Sequence, residues 1–293
     1  MKVLVIGYGS IGQRHVKNFS SLGADVRVLS RRILEGISSY SSLEEALKVF
    51  NPTHVVIANE TSEHGPTLHT LREKTLAAVL VEKPLYAFLP KEPLRNSNNV
   101  FVAYNLRFHP LVNKLKDALH GKKIVSWHAY VGQNLEKWRP GRDYTKVYSA
   151  SKELGGGAIR DLSHEIDMFR YFTGASELKG AHGGHFSKLS STADDHYSVL
   201  LSSDTCPHAN IHMNCMDRIV QRFITAHTED ESFSIDLISG RWRTSSADEN
   251  NSIDANTSYV DMARAFLSGS SSQLCTYQEA WETNALIEKA EHL

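Results

Sequence analysis

Over the first 118 residues, short apolar runs alternate with amphipathic stretches of helical period. KVLVIG (2–7), DVRVLS (25–30), THVVIA (53–58), AAVLVE (77–82) and VFVAYN (100–105) have the Val and Ile content of buried strands. Between them, GQRHVKNFSSLG (12–23), SLEEALKVF (42–50) and PTLHTLREKT (66–75) space their apolar residues as helices do. Strands without a polar face, separated by helices, predict βαβ units and a parallel sheet covered on both sides.

Near Gly121 the pattern changes. KIVSWHAYVG (123–132), HYSVLLSS (196–203), HANIHMNCM (208–216), RFITAHT (222–228) and SFSIDLIS (232–239) are strands without intervening helices. Connectors as short as SSDTCP and EDE suit hairpins, which makes the sheet mainly antiparallel. One helix, 162–173, interrupts it after the glycine turn 155–157, and two more, 258–268 and 277–291, close the chain. The expected architecture is an α/β Rossmann domain (1–118), then an α+β domain with an open, mainly antiparallel sheet (119–293).

Composition narrows the function classes. The 293 residues are 41% hydrophobic and 22% charged, enough apolar material for a real core. A formal net charge of −1 gives no electrostatic case for nucleic acid or an anionic membrane, so neither is an expected partner. No apolar run reaches the roughly 18 residues of a membrane span. MKVLVIG enters a strand without a signal-peptide layout, and the three cysteines are sparse and odd in number. A cytoplasmic protein is expected.

GYGSIG (7–12) is a G-x-G-x-x-G loop that leaves a strand and opens a helix, the context in which it binds dinucleotides. Gly7 serves the tight turn, Gly9 the approach of a pyrophosphate, and Gly12 the helix–strand contact, with Ser10 and Ile11 beside the phosphates. Asn59 follows the third strand on the same rim. An NAD site usually has an acid at the end of the second strand. This chain has Ser30, Arg31 and Arg32 there, groups that suit a 2′-phosphate, so NADP(H) is the preferred cofactor and NAD(H) the other candidate. The alternative is a solvated turn.

In VLVEKPL (79–85), Glu82 and Lys83 stand where the fourth strand reaches the same rim, and Pro84 fixes the exit. An ammonium there can hold a hydroxyl or a developing alkoxide. In DLSHEID (161–167), His164 and Asp167 share a helix face, which suits a general base steadied by a carboxylate. Asp161 or Ser163 fits the N-cap of that helix, and Leu162, Ile166, Phe169 and Phe172 its buried stripe.

Taken in order, GYGSIGQRH, VEKPL, YNLRFHP (104–110) and GGGAIRDLSHEID (155–167) resemble the Gfo/Idh/MocA oxidoreductases, the glucose–fructose oxidoreductase and inositol dehydrogenase group. The resemblance runs to at least residue 174. It implies reversible hydride transfer at a carbinol or ketone carbon of a sugar, sugar derivative or cyclitol, with Lys83 on the reacting oxygen. His164 would be the base. The family commonly carries an Asp four residues before this His; here Asp161 is three before it, so it is either a third catalytic group or a helix cap.

The resemblance also places Tyr104, Asn105, Arg107 and His109 near nicotinamide and substrate. Trp138, Arg139, Arg142 and Tyr144 combine aromatic and guanidinium groups that suit a sugar bearing an anionic group. No metal site is expected. HEID lacks the second histidine of H-E-x-x-H, and strand alternation puts His212 and Cys215 on opposite faces. An open sheet face favours a homodimer or homotetramer. Two other functions fit the same motifs: a lyase or glycosidase working by transient oxidation, and a non-catalytic nucleotide sensor or scaffold.

Overall fold

The computed structural model describes residues 1–138, 141, 143–269 and 272–293; Arg139 and Arg142 lie outside the described residues. The chain divides into two compact units, residues 1–108 with 256–281 and residues 109–255 with 282–293.

In the first unit the parallel strands are β1 (Lys2–Ile6), β2 (Asp25–Leu29), β3 (Ser39–Tyr40), β4 (His54–Ile57), β5 (Ala78–Val81) and β6 (Val100–Val102). They lie in the order β6-β5-β4-β1-β2-β3, and the short strand Cys275–Thr276 pairs antiparallel with β6. Period-two alternation divides each strand between two cores. Val3, Val5, Val56 and Leu80 pack with Phe19 of helix Ser10–Ser21 and with Met262 and Phe266 of helix Thr257–Ser268. Leu4, Ile6, Val55, Ile57, Val79 and Val81 pack with Leu68 and Leu71 of helix Thr61–Lys74 and with Tyr277. Both faces are thus covered, as continuous apolar strands require.

Helix Thr61–Lys74 starts five residues before the expected Pro66, which lies inside it. Proline forfeits one backbone bond early in a helix, and burial of Thr61, His64 and Gly65 outweighs that loss.

In the second unit the strands are β7 (Ser126–Gly132), β8 (Glu177–Gly184), β9 (His196–Ser203), β10 (Cys206–Asn214), β11 (Gln221–His227), β12 (Ser232–Asp236), β13 (Arg241–Arg243) and β14 (Asp248–Asn250). Their order is β14-β13-β12-β11-β7-β10-β9-β8, and every pairing is antiparallel except β7 with β10. One face is apolar, with Trp127, Ala129, Ile211, Met213, Ile224 and Ile235 each no more than 4% exposed. Trp127 meets Phe169 and Phe172 of helix His164–Thr173, at ring separations of 6.2 and 4.9 Å. The other face is half-exposed, and a row of rings crosses it: His196, His212, Tyr130 and Phe223, on β9, β10, β7 and β11.

The expected 162–173 helix is two pieces. Ala158–Asp161 forms one turn, Leu162 (φ −104°, ψ 24°) breaks it, and a new helix starts at His164. Asp161 therefore ends a turn and does not cap the second helix; Ser163 occupies that N-cap without a side-chain cap bond. No helix among the described residues is long and apolar enough to cross a membrane.

Candidate active site

In the first unit the strand ends converge on the glycine loop. Gly7 has φ +96°, and a Cβ there would lie 2.6 Å from the Ala58 carbonyl oxygen. A Cβ on Gly12 would lie 2.2 Å from the Gly7 carbonyl oxygen, so both glycines are needed for packing. Gly9, the N-cap of helix Ser10–Ser21, would meet nothing within 4 Å, and the first turn of that helix has no acidic residue. Such an open helix N-terminus fits a phosphate. Asn59 donates from Nδ2 to Thr67 Oγ1 at 2.9 Å, while its buried Oδ1 has no hydrogen-bond partner and fits a ligand donor. These features suit a dinucleotide held by the backbone of residues 7–12 and by Asn59.

At the end of β2 the Arg32 main-chain N–H donates to Ser30 Oγ at 3.1 Å, and Arg32 Nη2 donates to the Tyr8 carbonyl at 2.6 Å. The Arg32 guanidinium thus lies against the glycine loop, while Arg31 is exposed. No carboxylate follows the strand before Glu35.

Lys83 leaves β5 half-exposed between two held neighbours. Glu82 is 8% exposed, and its Oε1 lies 2.6 Å from Nε2 of the fully buried His15, in the helix that follows the glycine loop. The Pro84 carbonyl lies 2.9 Å from Nδ1 of buried His64. Sequence reasoning missed both histidines. His15 could have been found from its place three residues past Gly12 on the apolar stripe of the first helix, whereas His64 lies before the helix expected at 66–75.

Tyr104 and Arg107 are each 1% exposed and Asn105 is 4% exposed, all within the first unit. Arg107 donates to Glu279 at 3.0 Å and Asn105 to Ser258 at 2.8 Å. These side chains are committed to the interior of their own unit.

In the second unit the glycine turn is packed as tightly as the first loop. A Cβ on Gly156 would lie 2.2 Å from the Tyr148 carbonyl oxygen, and one on Gly157 (φ +128°) 2.2 Å from Asp194 Oδ1. Asp194 Oδ2 accepts from the Ile159 N–H at 3.0 Å and holds the turn that ends at Asp161. Burial, then the nearby Glu291 and Asp161, push Asp194 up to about 6, although the Ile159 bond favours its charged form. Asp161, His164 and Asp167 are all buried on this segment. Glu165 lies 2.9 Å from Arg222, and Arg160 pairs with Glu291. His109 caps helix Pro110–Ala118 by accepting from Leu111 N–H, and burial, then Arg222, lower its pKa to about 4. Trp138 is half-buried, and the Tyr144 hydroxyl accepts from Ser190 N–H at 3.1 Å.

Residues 1–93 match the sequence model of the oxidoreductase family with an NAD-binding Rossmann fold, Gfo/Idh/MocA. The first unit carries a Gfo/Idh/MocA Rossmann domain. No curated protein matches the chain. Solved structures share the fold along its whole length. A levoglucosan dehydrogenase with NADH aligns with TM-score 0.82 at 15% identity, covering 100% of this chain and 97% of that one. GenD2 from gentamicin A biosynthesis, with NAD, gives 0.77 at 19%, covering 100% and 93%. A myo-inositol dehydrogenase from Corynebacterium glutamicum gives 0.77 at 17%, covering 100% and 96%. At these identities the likeness is one of fold.

Proposed function

We propose that the protein is a nicotinamide-dependent dehydrogenase that moves a hydride to or from a CH–OH carbon of a sugar, sugar derivative or cyclitol. The observation that carries this reading is the rim of the first unit: an open glycine loop and helix N-terminus beside a lysine whose flanking residues are fixed in the core. A bound nicotinamide supplies the hydride-accepting carbon. Lys83 donates to the reacting oxygen and stabilises it as charge develops, and His164 takes the carbinol proton in the oxidative direction. Asp161, three residues before His164 at the end of the preceding turn, is the third catalytic candidate beside Lys83 and His164. Tyr104, Asn105 and Arg107, already buried and paired, act by fixing the β6 exit. Trp138, Tyr144 and Arg142 are the candidates for meeting a charged sugar.

NADP(H) is the favoured form, supported by a guanidinium against the glycine loop and hydroxyl and arginine groups where an acid would select NAD(H). The neighbours solved with NAD or NADH keep NAD(H) open. Titration of nicotinamide fluorescence tests both choices. Tighter NADPH than NADH binding, weakened in Arg31→Ala, supports the reading; preference for NADH overturns the cofactor choice, and binding of neither overturns the function. Lys83→Ala should then abolish turnover with nucleotide affinity kept; retained turnover removes Lys83 from the chemistry.

The half-exposed face with Tyr130, His212 and Phe223 is the surface through which we expect a homodimer or homotetramer to form. Phe223→Asp should shift sedimentation towards the monomer.

A further inference from the structure

The mechanism leaves two buried histidines without a task, and both bear on the turn that carries Lys83. His64 lies in the first turn of helix Thr61–Lys74 and is 1% exposed. Its Nδ1 is 2.9 Å from the Pro84 carbonyl oxygen. A carbonyl can only accept, so Nδ1 carries the proton and the neutral ring has one fixed tautomer. The next turn of the same helix grips the neighbouring strand exit, since Asn59 Nδ2 donates to Thr67 Oγ1 at 2.9 Å. β4 and β5 are adjacent, with Ile57 opposite Val81, so one helix start holds the exits that lead to Asn59 and to Pro84. Gly65 lets this helix come close: a Cβ there would lie 2.8 Å from the Tyr86 ring. From the glycine-loop helix, His15 holds Glu82 at 2.6 Å. The residues before and after Lys83 are therefore each tied to a buried imidazole.

We propose that His64 is a positioning residue for Lys83: its Nδ1–H bond to the Pro84 carbonyl, with the His15–Glu82 pair, fixes the backbone from which the catalytic ammonium projects. The inference rests on the reading of Lys83 as the group that holds the reacting oxygen. A neutral ring is what the place demands, because a second cation beside Lys83 would repel it. Burial is the main influence keeping the His64 pKa below 6.5, and Lys83 acts in the same direction. The main-chain groups of Pro84 and Asn59 and the Glu82 carboxylate oppose them.

The first test is an imidazole nitrogen NMR titration of the full chain. It should find the Nδ1–H tautomer of His64 and a midpoint below 6.5. That midpoint should fall further in Glu82→Gln and rise in Lys83→Met. An Nε2–H tautomer, or a midpoint that neither variant moves, overturns the proposal. The second test is kinetic. His64→Leu should lower kcat about tenfold or more, the loss of one hydrogen bond's worth of positioning, with NADPH affinity within about twofold. His64→Asn, which keeps an N–H, should recover part of that loss. In a Lys83→Ala background His64→Leu should add nothing, whereas a full additive loss, or an undiminished kcat in the single variant, overturns the role. Turnover surviving in Lys83→Ala alone would instead sink the reading of Lys83, and the NMR titration would still decide whether His64 holds its turn.

Discussion

Two buried groups of the second unit should drive its stability in opposite directions on acidification. His109 falls from 6.5 to about 4, through burial first and Arg222 second. Asp194 rises from 3.8 to about 6, through burial first and then Glu291 and Asp161, against the Ile159 hydrogen bond. Because the pKa of His109 is depressed on folding, its contribution is full above 6.5 and is lost as pH falls towards 4. Asp194 is raised on folding, so its contribution is full below 3.8 and is lost as pH rises through about 6. Between pH ~7.5 and ~4.5, His109 should cost about 2.5 kcal/mol and Asp194 return about 2 kcal/mol. Each has a near-isosteric test. Asparagine at 109 can still accept from Leu111, and asparagine at 194 keeps an oxygen for Ile159. Urea unfolding at the two pH values, followed by tryptophan fluorescence in a Trp281→Phe background that removes the first unit's tryptophan, reads this unit through the buried Trp127 and Trp242, which are 0% and 4% exposed. In Asp194→Asn the acid arm should become less favourable by about 2 kcal/mol relative to the parent, and in His109→Asn more favourable by about 2.5 kcal/mol. Equal pH dependence in all three proteins, or shifts of the same sign, would refute the burial argument.

The glycine loop separates binding from packing. Gly9→Ala should leave the melting temperature unchanged and weaken NADPH about tenfold or more by calorimetric titration, because its Cβ meets only open space. Gly12→Ala must move the Gly7 carbonyl by about 1 Å and should cost about 1–3 kcal/mol, seen as a melting temperature lower by a few degrees. Phe266, 2% exposed against Phe19, His54 and Phe101, should cost about 3–5 kcal/mol as Phe266→Ala in chemical unfolding. Arg142→Ala should weaken binding of anionic sugars more than that of neutral ones in competition assays; equal loss for both would count against a carboxylate or phosphate contact.

What the sequence made legible follows from where apolar periodicity is strong. β1, β4 and β5 are buried on both sides and lined with Val, Ile and Leu, so their runs announce them. β8 is the opposite case. Its ELKGAHGG holds three glycines, sits at the sheet edge, and shifts register between Leu178 and Gly180, so no alternating pattern marks it. The parallel pairing of β7 with β10 was hidden for another reason: connector length reports which strands follow one another, and these partners lie far apart in sequence.

The site follows the same division. Gly7, Gly12 and Lys83 were visible because a motif fixes both residue type and spacing, whereas Asp194 is 33 residues past Asp161 and reaches its turn only through the fold. His64 failed on a local rule. Proline favours the first position of a helix, which agrees with the helix expected at 66–75 and leaves the five residues 61–65 outside it. Tertiary burial of Thr61, His64 and Gly65 begins the helix at 61 instead. That turn sets His64 against the Pro84 carbonyl. The residue we assign to positioning Lys83 was thus concealed by the proline that follows it by two places, and the conflict between local rule and fold falls where the chain holds its candidate catalytic lysine.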